Sequence, residues 1–107
     1  MLIATGADVN ARDLDDATLL MIAARNNHTE MAQLLITAGA DVNASSLSGR
    51  TALILAAGNG HTETVKLLID GGVDVNAKDI EGKTALMMAT RWGHKGIEKL
   101  LRDAGAS

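Results

Sequence analysis

Cysteine, proline, phenylalanine and tyrosine are all absent from this 107-residue chain, and tryptophan occurs once, at Trp92. Without cysteine there is neither a disulfide framework nor a thiolate metal site. Basic charge is scarce as well. Ten Lys/Arg stand against thirteen Asp/Glu, a formal charge of −3, which offers no footprint for nucleic acid or an anionic membrane. No apolar run approaches the roughly 20 residues that cross a bilayer. The opening MLIATGADVN lacks the basic and apolar regions of a secretory signal. These absences point to the cytoplasm. What the chain does have is aliphatic: 47% of it is hydrophobic, with 18 Ala and 14 Leu. Its core must therefore be built from small and branched aliphatic side chains, and its length suits one domain, residues 1–107.

Repetition organises that composition. GADVNA begins at Gly6 and again at Gly39, and GVDVNA begins at Gly72. The same 33-residue interval links Thr18, Thr51 and Thr84, and also His28, His61 and His94. Residues 39–71 and 72–104 share 16 of 33 positions. Independent markers with one period define repeats at about 6–38, 39–71 and 72–104, with 105–107 as a tail and 1–5 as the remnant of a preceding unit.

Each unit has a local logic. Thr51 precedes an Ala-rich run and suits an N-cap, its hydroxyl accepting from first-turn amides. A short helix is predicted over Ala52–Gly58. Gly60 ends it, because a left-handed residue is cheap only for Gly or Asn; Asn27 and Gly93 fill the same slot. A second helix is predicted from about Thr62 to Asp70, with Val65, Leu68 and Ile69 at helical spacing, and Gly72 closes it as Gly39 closes its counterpart. Val73–Lys83 then holds a short D-V-N-A segment and a turn centred on Glu81-Gly82. One helix pair cannot bury its own apolar face, so neighbouring units must stack into a solenoid.

These residues resemble the ankyrin-repeat pattern D-x-x-G-x-T-P-L-H-x-A-A…G-H…L-L…G-A-D-V-N-A along essentially the whole chain. In the last unit Asp79, Gly82, Thr84, Leu86, Ala89, Gly93, His94, Leu100, Leu101 and Gly105 fill its slots. Leu19, Ala52 and Ala85 stand where the family has proline, and Met21, Ile54 and Met87 where it has histidine. Asp16 replaces the turn glycine found at Gly49 and Gly82. The resemblance implies an all-α repeat solenoid, with helix-turn-helix plus an extended β-turn or hairpin loop in each repeat. It also assigns His28, His61 and His94 to bridging turn backbones.

The ends of the array differ from its middle. Ala32 and Val65 become Glu98, Ile36 and Ile69 become Arg102, and Ala24 and Ala57 become Thr90. Glu98 and Arg102 lie four apart and can pair on one helical face, so these three changes read as a C-terminal cap. Met1, Leu2 and Ile3 align with the end of a second helix whose first part and partner are missing. The expectation is an inward face left open, either because the chain is a piece of a longer array (the favoured account) or because another molecule covers it. Charge is graded as well: −3 over residues 1–38, −1 over 39–71 and +1 over 72–107. The acidity concentrates at Asp13-Leu14-Asp15-Asp16. A gradient of this kind can steer head-to-tail contact or a basic partner, although a plain solvated surface is favoured.

Catalytic and metal motifs do not survive inspection. The string from Ala77 to Thr84 fits a loosened phosphate-loop pattern, but it is a repeat turn in phase with ASSLSGRT and ARDLDDAT, and no strand context accompanies it. The three histidines sit one repeat apart rather than converging on one ion. No nucleophile–base–orienter set emerges. The expectation is no enzyme, cofactor or metal, but a module that binds another protein.

By resemblance, the concave helix surface and turn tips carry that binding. The candidates are Arg25, Asn26, Asn59, Arg91 and Trp92 near the first-helix ends, with Asp15, Ser48, Arg50, Glu81 and Lys83 in the turns. Trp92 replaces polar Asn26 and Asn59. It is either a binding hot spot beside Arg91 or a cover for the exposed end of the last unit. Leu14, Leu47 and Ile80 form an apolar column on the tips, read as packing against one another rather than contacting a partner. Two alternatives remain: self-assembly through the open N-terminal face, giving a homo-oligomer, or a docking domain detached from a larger enzyme.

Overall fold

The computed structural model describes residues 12, 13 and 16–107. The predicted opening stub at Met1–Ile3, the first GADVNA copy, Leu14 and Asp15 all lie outside them. Among the described residues there are six helices: α1 (Leu19–Arg25), α2 (Thr29–Thr37), α3 (Ala52–Gly58), α4 (Thr62–Asp70), α5 (Ala85–Arg91) and α6 (Lys95–Asp103). They form two layers. α1, α3 and α5 pack side by side in one, α2, α4 and α6 in the other, and each first-layer helix packs on its sequence successor. The molecule is elongated, 39 × 24 × 20 Å. None of these helices is long and apolar enough to cross a membrane.

The repeat period sets each boundary through the same chemistry. Thr18, Thr51 and Thr84 are extended, and their hydroxyls accept from the amides of Met21, Ile54 and Met87 at 3.2 Å. Each first-layer helix then stops at a left-handed residue: Asn27 (φ 59°), Gly60 (φ 77°) and Gly93 (φ 75°). Asp16, in the turn slot of Gly49 and Gly82, also has positive φ, at 61°. The first unit therefore holds two left-handed positions with non-glycine residues of the kind that tolerates them best. Asp16 is paired with Arg12 at 3.3 Å.

The core is a file of aliphatic side chains between the layers. Leu20, Ala24, Leu35, Leu53, Ala57, Leu68, Ala89, Ile97 and Leu101 are all fully buried or nearly so. Alanine at 24, 56, 57 and 89 lets the first-layer helices approach closely, which leaves no slot for a large ring. Thr64, within α4, is polar yet fully buried. Thr64 donates to Asn27 Oδ1 at 3.2 Å and shares a hydrogen bond with the Thr29 hydroxyl at 3.1 Å, both on the preceding unit. Its repeat counterparts are Met31 and Ile97, and the two borrowed partners are what make a hydroxyl tolerable there.

Polar contacts tie successive units together at regular places. The His61 Nε2–H donates to the Arg25 carbonyl at 2.9 Å, and that of His94 to the Gly58 carbonyl at 3.3 Å, one unit back in each case. A carbonyl only accepts, so the contact places the ring proton on Nε2. Asn43 Oδ1 accepts from the Asp74 amide at 2.7 Å, and Asn76 Oδ1 from the Ser107 amide at 3.1 Å. At the end of the stack the Thr90 hydroxyl donates to Glu98 Oε1 at 2.8 Å, with Arg102 3.9 Å from the same oxygen. Glu98 is thereby held with its side chain only 14% exposed.

The turns correct one expectation. Leu47 and Ile80 are 73% and 76% exposed, so they do not pack against one another's tips. The tips meet through backbone instead: the Ile80 amide donates to the Ser48 carbonyl at 3.0 Å. A Cβ on Gly49 would lie 2.8 Å from the Ile80 nitrogen, so the main chains are already in contact there. That approach leaves both aliphatic side chains facing water. The hairpin is also minimal, since the described turns carry only isolated bridges, Arg12 with Thr18 and Ser45 with Thr51, and no strand.

Candidate binding groove

A groove of about 760 Å³ runs across the first-layer face. Its lining combines Arg25 from α1, Ile54, Leu55 and Gly58 from α3, and Met88 and Arg91 from α5. The helix ends add Asn59, Trp92 and His94, and the turns add Arg50 and Lys83. A second concavity continues it toward Ala17, Met21, Ser46, Leu47 and Ser48, and shares Arg25, Arg50 and Leu55 with the first. Residues of all three units thus face one continuous surface. Its apolar floor of Ile54, Leu55 and Met88 is rimmed by positive charge.

The period explains how these side chains converge. Residues one repeat apart occupy equivalent places on successive units, so they form rows across the groove. One row is Ala17, Arg50 and Lys83; another is Arg25, Gly58 and Arg91. The missing side chain at Gly58, between two arginines, deepens the centre. A Cβ there would make only ordinary contact with Met88, at 3.5 Å and beyond, so this glycine is not imposed by backbone conformation.

Trp92 is the C-cap residue of α5 and is 58% exposed. The Arg91 guanidinium lies 5.4 Å from its ring centroid, within range of a cation–π interaction. The pair presents a flat, half-wet face to the groove. Arg50 is held from the other side, its Nε 3.8 Å from Asp79 Oδ2. The buried Asp79 carboxylate also accepts from the amides of Glu81 and Lys83, both at 2.9 Å. Those amides are the ones a phosphate loop would turn to its anion, and here the chain's own carboxylate occupies them.

Among the sequence candidates, Arg25, Arg50, Asn59, Lys83, Arg91 and Trp92 line the main groove and Ser48 its continuation. Asn26 and Glu81 are exposed but belong to neither lining. Asp15 lies outside the described residues. Sequence reasoning did not offer Ile54, Leu55 and Met88 as binding residues, because aliphatics at helical spacing read as core, and it gave His94 only a role bridging turn backbones. Met88 and Leu55 are in fact only half-buried, and the signal was their place one residue on from the buried face. Among the described residues, no group of three or more His, Asp and Glu is placed to hold a metal ion.

A stack of 33-residue helix pairs joined by Asp- and Gly-containing turns is the architecture of an ankyrin-repeat protein. A sequence profile described as "Ankyrin repeats (3 copies)" matches residues 1–79 and again 20–107. The chain belongs to this family, whose repeats generally serve as protein–protein interaction modules and are typically non-catalytic. Among named proteins, it is similar to Protein fem-1 homolog C of Danio rerio, 54% identical over 35 residues. That segment is 33% of this chain and 6% of the relative, so the likeness covers about one repeat.

Proposed function

We propose that the chain is a non-catalytic recognition module that docks a partner protein in the groove of the α1–α3–α5 layer. One observation carries this reading: residues from three successive units converge on a single continuous surface with an apolar floor and an exposed Arg91–Trp92 pair. Tryptophan and arginine are enriched in binding hot spots: the indole buries a large area with few rotors, and the guanidinium offers a planar fork of hydrogen-bond donors. The layer that carries them is braced by hydrogen bonds. Its helices are capped at both ends and tied to the next unit by the histidine and asparagine bonds described above. Docking is therefore a rigid-body event with little reorganisation.

Gly58 supplies the test, since a Cβ added there makes only ordinary contact and projects from the groove lining. A photo-crosslinking residue at position 58 is expected to capture a partner protein from extract of the source cells. The same residue at Lys66, exposed on α4 of the other layer, is expected to capture none. Capture from position 66 alone, or equally from both, contradicts the proposal.

A further inference from the structure

We infer that the partner segment received by this groove is acidic: an extended stretch of protein chain carrying several carboxylates beside an apolar residue. The inference rests on the groove being the partner surface, and it adds the partner's chemistry.

Charge complementarity carries it. Four cations line the groove, Arg25, Arg50, Lys83 and Arg91, and among the described residues neither lining contains a carboxylate. This is not the character of the chain at large. It has ten basic groups, so six remain elsewhere against thirteen acidic ones. A net-negative protein has thus gathered a large share of its positive charge on the face where its apolar floor is open. The repeat shows that the choice is local. Two of the rows that face the groove offer six places, occupied by Ala17, Arg50, Lys83, Arg25, Gly58 and Arg91; four are cationic and none is acidic, and Glu81, in the row of Ser48, belongs to neither lining. Asp79 compensates Arg50 in part, but from a buried position behind it.

The apolar element has its place too. Half-buried Leu55 and Met88, backed by buried Ile54, form a floor that an aliphatic side chain can cover, and the Trp92 ring offers a flat wall beside it. Arginine pairs with carboxylates in forked geometry and keeps its charge at every accessible pH. A cationic groove on an otherwise acidic body selects a short acidic segment over a long polyanion, because the rest of the surface repels the latter.

The test uses Trp92 as its reporter, since it is the chain's one aromatic and stands in the groove. A peptide of repeated Glu-Gly-Glu-Leu units is titrated into the protein while Trp92 emission is followed. Peptides with Gln or Lys in place of Glu, and a single-stranded oligonucleotide, serve as comparisons. Saturable binding of the Glu peptide is expected, at least about 10-fold tighter than the Gln peptide and weakened several-fold by added salt. Gly58→Lys and Gly58→Glu then place opposite charges of similar size at the groove centre. The Lys variant is expected to bind the Glu peptide at least about 10-fold tighter than the Glu variant. Equal binding of Glu and Gln peptides, preference for the Lys peptide, tighter binding of the oligonucleotide, or no order between the two Gly58 variants would each overturn the inference. If crosslinks from position 58 still reach a partner in that event, the groove reading stands and only the acidic chemistry fails. If those crosslinks are absent as well, the groove reading fails with it.

Discussion

The middle and last units share a backbone plan but not a chemistry. α3 and α5 are both seven residues long and both begin on a threonine cap. α3 buries Ala52, Leu53, Ile54, Ala56 and Ala57, whereas α5 buries only Ala85, Leu86 and Ala89. The difference lies in the neighbours: α3 is flanked by α1 and α5, while α5 packs on α3 alone within its layer. In the second layer buried Val65 gives way to Glu98, and half-buried Ile69 to exposed Arg102. A slot in this fold therefore has no fixed polarity. Whether another unit lies over it decides what residue it can hold.

The sharpest way to break that comparison is to exchange residues between the two units. Val65→Glu buries a carboxylate among aliphatics and is expected to cost at least about 3 kcal/mol, read as an early loss of helical circular dichroism in urea. The mirror change Glu98→Val removes one hydrogen bond and a loose ion pair at a place that no further unit covers. It is expected to stay within about 1 kcal/mol of the parent. Similar losses for both would show that the slots are equivalent after all.

A second pair tests the turns. Gly49 and Gly82 have similar φ, 77° and 79°, but a Cβ on Gly49 meets the Ile80 nitrogen and the Asp79 backbone, whereas one on Gly82 meets nothing within 4 Å. Alanine is expected to cost about 2 kcal/mol at Gly49, through clash added to strain, and about 1 kcal/mol at Gly82 from conformation alone. Thr51→Ala removes one helix cap and should lower stability by about 1 kcal/mol in the same denaturation assay. The smallest effect has the opposite sign. Gly58→Ala lies in a helix with room for a Cβ and is expected to stabilise by about 0.5 kcal/mol.

Much of this arrangement was legible in the chain itself, because a strict period turns one set of local signals into three. Thr51 and Gly60 mark the ends of α3, and the same marks one interval away locate α1 and α5. The rows of the groove were equally accessible: Arg25, Gly58 and Arg91 share a slot whatever the atomic detail. The floor was not. Leu55 and Met88 differ from core residues only by a small rotation about the helix, which composition does not reveal. The tip column was misjudged for a related reason. Whether Leu47 meets Ile80 depends on how closely two main chains approach at Gly49, and the bond from the Ile80 amide to the Ser48 carbonyl settles it. Thr64 was hidden too, since its partners Asn27 and Thr29 come from the preceding unit.

The groove remains the centre of the account, and the Arg91–Trp92 pair is where it is most exposed to test. The affinity of a crosslinked partner should be compared between the parent protein and the Arg91→Ala/Trp92→Ala double variant, with melting temperature recorded for both. Truncating a hot-spot pair is expected to weaken binding by about 30-fold or more, while exposed substitutions leave stability within about 0.5 kcal/mol. An unchanged affinity in a folded variant would contradict the assignment of this face as the binding surface.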